Sequence, residues 1–191
     1  EWHINDPVDD FEENRNEVIY QWQNNRNPFI DHPEYVNLIW GEDSVQPTND
    51  TSPLIISEYI EGSANNKAIE LYNSGNDTLN LSEYKLLKIS NGGFWSEEIF
   101  DLTGFLAPHQ TYIIGHYNAN NYISDLCDLQ INLNHNGNDA LAISHNGIRI
   151  DQIGQDGEAP TDGWTIAGIP KATKDHTLIR KTTINSGNID W

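Results

Sequence analysis

Ala140-Leu141-Ala142-Ile143-Ser144-His145-Asn146-Gly147-Ile148-Arg149-Ile150-Asp151-Gln152-Ile153 consists of two short alternating runs joined by Asn-Gly. Asn-Gly supplies the pair of positive φ angles that a two-residue type I′ turn requires, so this stretch predicts an antiparallel hairpin. The same pattern continues outward in both directions. Runs of strand composition occupy residues 54–61, 67–72, 84–89, 98–102, 111–115 and 177–180. Turn signals bound them, among them Asn73-Ser74-Gly75-Asn76-Asp77, Asn91-Gly92-Gly93 and Asn136-Gly137-Asn138-Asp139. Seven to nine short strands at this spacing predict a mainly β chain whose body, residues 53–191, is an antiparallel β-sandwich.

The other end of the chain has different chemistry. Asp6 suits a helix N-cap, Pro7 suits the first helical position, and Asp9, Asp10, Glu12 and Glu13 favour the positive end of the dipole. Val8, Phe11, Val18, Ile19 and Trp22 then share one face, predicting a helix over residues 7–23. A second helix is expected from Asp31 as cap, with Pro33 and Glu34 in its first turn and Tyr35, Val36, Leu38, Ile39 and Trp40 following. Two short helices are too small to enclose Trp2, Phe11, Trp22, Phe29, Tyr35 and Trp40, so these aromatics are expected to pack on another body. The domain reading is therefore a helical segment over residues 1–41, a polar linker over 42–52 and the sandwich beyond.

Twenty-nine acidic residues against 10 basic ones give a net charge of −19. Such a surface repels phosphate backbones and argues against a nucleic-acid-binding face on this chain. The single cysteine, Cys127, excludes an intrachain disulfide, and with Asp125 and Asp128 beside it reads as a buried small hydrophobe and not as a reactive thiol. No apolar run reaches the length of a membrane-spanning helix. A chain that starts at Glu1, in mid-motif and without Met, is expected to be a processed or partial product, any export signal lying upstream.

Glu1-Trp2-His3, Asp6-Pro7-Val8-Asp9, Glu13, Arg15-Asn16 and Asn25-Arg26-Asn27-Pro28-Phe29-Ile30-Asp31-His32-Pro33 resemble the C-terminal portion of the endonuclease I family. That resemblance implies a secreted bacterial nuclease with a ββα-metal core, hydrolysing DNA or RNA with a divalent ion such as Mg²⁺ or Ca²⁺. It also implies a catalytic histidine and metal ligands in a nuclease core upstream of these residues, with nucleic acid a substrate of the parent only. Ile56-Ser57-Glu58-Tyr59, Lys67 through Asn73, Asn138 through Ile143, Ile150 through Gly154 and Thr177 through Lys181 resemble the lamin tail domain, an immunoglobulin-like sandwich. Such domains accompany secreted bacterial enzymes, which implies an extracellular or cell-surface location and a non-catalytic accessory role. The alternative is a purely non-catalytic binding or attachment module of an extracellular protein.

Candidate site residues are few. In the first segment Glu13, Arg15, Asn16, Arg26 and Asn27 form a constellation, and Arg15 or Arg26 suits a bidentate phosphate contact. The competing reading ties Glu13 and Arg15 to neighbouring structure and makes Asn27-Pro28-Phe29 a turn between helices. His3 follows the family's catalytic motif and His32 sits at a helix start, so neither is expected to be catalytic. The remaining histidines, including His135 and His145, are scattered singly, which argues against tetrahedral zinc. Oxygen-rich loops at Asn136, Asn138 and Asp139, and at Asp151, Asp156, Glu158 and Asp162, have the ligand types that calcium takes, or the turn chemistry that Asn and Asp form unaided. Trp164 is expected to pack on the core, and Trp95, after Gly92-Gly93-Phe94, to present a contact face at a loop tip. No nucleophile, base and oxyanion site assemble within residues 52–191.

Overall fold

A computed structural model describes residues 8–33, 52–95 and 97–190 of the 191. The chain divides into two compact units, Glu1–Thr48 and Asn49–Trp191.

In the first unit, helix α1 spans Asp10–Gln23 and helix α2 spans Pro28–Asp31. The cap of α1 is Asp9, not the expected Asp6, which lies outside the described residues together with Pro7. The Asp9 carboxylate accepts the N–H groups of Phe11 and Glu12, both at 3.0 Å, so it satisfies the two donors that an N-cap serves. Helix α1 stops where Asn24 turns left-handed at φ 53° and donates to the Tyr20 carbonyl at 2.8 Å. A short helix that the sequence reading did not predict follows: Asn27 accepts from the Phe29 N–H at 3.0 Å, Pro28 takes the first helical position and Asp31 is the last residue of α2. The expected apolar positions Tyr35 through Trp40, like Trp2 and most of the linker, lie outside the described residues. On α1 the buried residue is Asn16, at 3% exposure, whereas Phe11, Val18, Ile19 and Trp22 are exposed.

The second unit is mainly β. Strands β1 (Leu54–Glu61), β2 (Lys67–Asn73), β7 (Thr111–His116), β8 (Leu129–Ile131) and β11 (Thr177–Ile179) form a sheet in the order β11-β1-β2-β7-β8. Strands β4 (Tyr84–Ile89), β5 (Glu98–Asp101), β9 (Ala140–His145) and β10 (Ile148–Ile153) form the second, in the order β10-β9-β4-β5. The two-residue strands β3 (Leu79–Asn80) and β6 (Phe105–Leu106) pair with each other. The hairpin between β9 and β10 turns at Asn146 and Gly147 with φ of 49° and 83°, as the sequence predicts.

One pairing departs from the all-antiparallel expectation: β7 and β8 run parallel, in the register Ile114↔Leu129. The connecting residues 117–128 contain the short helix α3 (Asn121–Ser124), the kind of crossover that a parallel pair needs.

The core between the sheets is built from Leu54, Ile56, Tyr59, Ile69, Leu71, Leu86, Ile114, Leu141 and Ile143 with their neighbours. Two bulges set its pattern. Register shifts fall between Ile56 and Glu58 in β1 and between Arg149 and Asp151 in β10. Each extra residue reverses the inside-outside alternation, so Leu54 and Ile56 point to the core and then Tyr59 does, and likewise Ile150 and then Ile153.

The bulge in β1 leaves backbone groups to be satisfied. Asp151, buried at the facing bulge, accepts the Ile56 N–H at 2.7 Å, and Arg180 Nε donates to the Ile56 carbonyl at 2.7 Å. Arg180 Nη2 also reaches both Asp151 oxygens at 2.8 Å, and the Asn188 N–H donates to the same carboxylate at 2.9 Å. Asp151 thereby fastens β1, β10, β11 and the C-terminal residues. No helix among the described residues is long and apolar enough to cross a membrane.

Candidate functional site

Within the first unit the turn between α1 and α2 gathers five polar side chains. Asn16 Oδ1 accepts the Asn27 N–H at 2.8 Å, and its Nδ2 donates to Asp31 at 3.1 Å and to the Asn27 carbonyl at 3.4 Å. Arg26 donates through Nε and Nη2 to Asp31, both at 2.7 Å, and through Nη1 to Glu17. Its guanidinium also lies 5.9 Å from the Tyr20 ring centre. The Asp31 and Glu17 carboxylates raise the Arg26 pKa further, and Arg26 holds the Asp31 carboxyl below the ordinary range.

Of the five residues singled out in sequence, the structure brings together Asn16, Arg26 and Asn27. Glu13 and Arg15 are exposed on α1. Asp31 and Glu17 complete the cluster. Sequence reading missed Asp31 because its composition also fits a cap, and missed Glu17 because the pairing spans nine residues. Chemically the cluster is self-neutralising: the fork of Arg26 that suits a phosphate is filled by carboxylates. Arg15 remains the exposed cation of the pair.

The oxygen-rich loops are engaged too. Asp139, 3% exposed, accepts the N–H groups of Asn91 at 3.0 Å and Asn136 at 3.1 Å, and burial pushes its carboxyl pKa up. Asn136 in turn accepts the Asn138 N–H at 3.4 Å. Asp162 pairs with Lys171 at 2.7 Å and with Lys174 at 3.5 Å. Glu158 accepts from Gln155 at 3.3 Å, and Asp156 is half-buried. Among the described residues no three of His, Cys, Asp or Glu converge on a metal position.

Trp95 and Trp164 of the sandwich are buried, at 6% and 4%. Trp164 packs as expected, and Gly154 at φ 80° makes room, since a Cβ there would meet the indole at 2.6 Å. Trp95 does not present a loop-tip face. The left-handed turn at Asn91 and Gly92 folds it onto Leu87, Ile89, Ala140, Ala142 and Trp164, with the Arg149 guanidinium 5.0 Å from its ring. Phe94 of that loop is exposed instead. Cys127 is half-buried, not fully buried; its thiol donates to the Ile123 carbonyl at 3.2 Å, and burial followed by Asp128 raises its pKa.

Two further features were not legible in sequence. His135 is fully buried in the sandwich, 4.8 Å from the Tyr59 ring, with Nε2 at 2.9 Å from the Ile60 carbonyl. That contact makes Nε2 the protonated nitrogen, and burial brings the imidazole pKa down to about 3. A mostly apolar groove of about 220 Å³ opens beside β11, its lining including Ile56, Tyr59, Ile153, Ile166, Leu178 and Arg180.

Residues 47–157 match the family model of the Lamin Tail Domain, and residues 1–34 match that of Endonuclease I. The extracellular ribonuclease of Bacillus subtilis (strain 168) is 63% identical over 41 residues, which are 21% of this chain and 14% of that protein. The extracellular ribonuclease of Bacillus amyloliquefaciens is 60% identical over 40 residues, 20% of this chain and 14% of the relative. The chain thus spans 14% of the length of the curated relatives it matches.

Proposed function

We propose that this chain, which belongs to the lamin tail domain family and carries an endonuclease I segment over residues 1–34, serves a secreted, metal-dependent nuclease. In this reading the first unit is the C-terminal edge of a nuclease body and the sandwich is a non-catalytic accessory module. The observation that carries it is a coincidence in place. Residues 1–34, which match the Endonuclease I model, contain the helix whose Phe11, Val18 and Trp22 are exposed. An amphipathic helix that buries Asn16 and exposes those side chains suits docking on a larger apolar surface.

The divalent ion, Mg²⁺ or Ca²⁺, belongs in this reading to the nuclease body. The acidic groups described here do not suit it: Asp31 is taken by Arg26, Asp162 by Lys171 and Lys174, and Asp139 by backbone N–H groups. No hydrolytic step is therefore assigned to these residues. The role of Asn16, Asn27, Asp31 and Arg26 is to fix the turn that presents α1, and Arg15, exposed on α1, is the candidate for a phosphate contact. Phosphodiester cleavage, in DNA or RNA, is an activity of the joined protein.

The test is a nuclease assay with Mg²⁺ or Ca²⁺ on the 191-residue chain, alone and joined to an upstream endonuclease I-type body. The expected result is cleavage by the joined protein and none by the chain alone. Metal-dependent cleavage by the chain alone, at the rate of the joined protein, would overturn the assignment.

A further inference from the structure

Helix α1 has two sides with different neighbours. Asn16, Glu17 and Tyr20 face the turn into α2. Asn16 is bonded to Asn27 and Asp31, Glu17 to Arg26, and the Tyr20 ring centre lies 5.9 Å from the same guanidinium. At 3.6 residues per turn the opposite side carries Phe11, Arg15, Val18 and Trp22. All four are exposed, Phe11 at 72% and Trp22 at 84%. They recur at the four-three-four spacing of a seam that lies along another element, about 17 Å long at 1.5 Å per residue.

Arg15 is the residue that does not fit an apolar seam. Its neighbours on the helix surface are the residues three and four positions away, here Phe11, Glu12, Val18 and Ile19. Three of these are apolar, and Arg15 forms no ion pair among the described residues. It is also the cation of a helix that otherwise carries Asp10, Glu12, Glu13 and Glu17. A surface that covers Phe11, Val18 and Trp22 covers Arg15 with them. A guanidinium taken out of water keeps its charge, so it is costly unless a carboxylate meets it. Exposure makes Arg15 the phosphate candidate, but its place in the seam gives it to the interface.

We propose that Arg15 is the charged anchor of the α1 seam, received by a carboxylate on the apolar surface of the nuclease body where Phe11, Val18 and Trp22 dock. The inference rests on the nuclease reading of residues 1–34. That body is the occupant because the matched segment is 14% of each curated relative, so in those proteins it is joined to a far larger remainder. One ion pair within an apolar seam also fixes the register. A docking shifted by one turn leaves both charges covered and unpaired. Nucleic acid suits this side less, since three of its four residues are apolar and the other charges of α1 are acidic.

The test is the thermal midpoint of the nuclease body, read by differential scanning calorimetry without nucleic acid, in the chain joined to an upstream endonuclease I-type body. Arg15→Met keeps an apolar stem but strands the carboxylate of the body, and is expected to lower the midpoint by about 5 °C or more. Arg15→Glu sets two carboxylates together and lowers it further, whereas Arg15→Lys keeps the charge without the fork and lowers it less. Glu12→Gln leaves it in place, and Trp22→Ala reports on docking itself. If Trp22→Ala lowers the midpoint and Arg15→Met does not, the helix docks with Arg15 left for phosphate, and this proposal falls while the nuclease reading stands. It falls equally if Arg15→Glu is no worse than Arg15→Met, or if Glu12→Gln reproduces the loss. A midpoint that ignores both Trp22→Ala and Arg15→Met overturns the docking reading and this proposal with it.

Discussion

The two units solve the same problem in opposite ways. The sandwich buries its apolar side chains between two sheets, and a buried carboxylate, Asp151, serves the backbone where the ladder is interrupted at the bulges around Ser57 and Ile150. The helical unit does the reverse: on α1 the buried side chain is Asn16, and Phe11, Val18 and Trp22 are left exposed. The first arrangement gains its stability from apolar area removed from water. The second holds its shape through hydrogen bonds around one turn, each worth about 1 kcal/mol net. The sandwich is thus a self-sufficient fold, and the helical unit is a shaped surface.

The contrast breaks first at Asp151. Asp151→Ala strips the Ile56 and Asn188 N–H groups of their acceptor and leaves Arg180 beside a vacated, buried position. Removing one partner of a buried pair costs about 3–5 kcal/mol, because the remaining groups keep their desolvation penalty. Urea unfolding followed by circular dichroism at β-sheet wavelengths is expected to show a loss of that size. A loss under about 1 kcal/mol would mean that the bulges are held by the surrounding core and not by this carboxylate.

His135 gives the next effect, and its sign is fixed by burial. The folded imidazole titrates near 3 and the unfolded one near 6.5, so between these values the unfolded state binds more protons. Stability is therefore complete above pH 6.5 and falls as pH drops toward 3, by about 2 kcal/mol at pH 5. Asp139 and Asp151, whose carboxyls burial pushes up, act in the opposite sense as pH enters the carboxylate range. Comparison with His135→Gln, whose amide keeps a donor for the Ile60 carbonyl, isolates the imidazole. Urea midpoints at pH 7 and pH 5 are expected to differ less in the variant. Equal differences in the two proteins would remove His135 as the cause.

How far the sequence could be read also divides along this line. Alternation and Asn-Gly place the seven strands of four residues or more because a sandwich core enforces period two, and Asn146 and Gly147 have few other uses. The bulges at Ser57 and Ile150 are invisible to it: one extra residue reverses the pattern without changing composition. Strands of two or three residues carry no period, and the parallel strand β8 depends on a crossover that only the fold reveals. Trp95 moved inward because two adjacent residues, Asn91 and Gly92, adopt positive φ. In the helical unit the difficulty is competition among equivalent signals. Asp6 and Asp9 both suit a cap, and the choice rests on which side chain meets free N–H groups. Asn16 looks like an ordinary surface residue until its partners, 11 and 15 positions away, are known.

Asn16→Ala measures the polar side of the comparison. It removes the acceptor of the Asn27 N–H and a donor to Asp31, at a local cost of about 1–3 kcal/mol. Hydrogen exchange is expected to quicken at residues 24–31 while the unfolding midpoint of the sandwich stays in place, because the two are separate compact units. A shift of both together would mean that the helical unit and the sandwich melt as one.

The smallest effect is the most telling about the helical unit. Trp164 and Trp22 are the same residue type in the two environments, one buried at 4% and the other exposed at 84%. Trp164→Ala would cost about 3–5 kcal/mol as a core truncation, whereas Trp22→Ala is expected to change the stability of this chain by less than about 0.5 kcal/mol. An exposed indole on a helix that buries an asparagine contributes little to the fold that carries it, so its use lies in what it meets. In the protein joined to a nuclease body, Trp22→Ala is then expected to lower the thermal midpoint of that body, read by differential scanning calorimetry, while leaving the sandwich transition where it was. A nuclease transition that ignores the change would leave the apolar side of α1 without a docking role, and with it the reason for placing this helix at the edge of a catalytic domain.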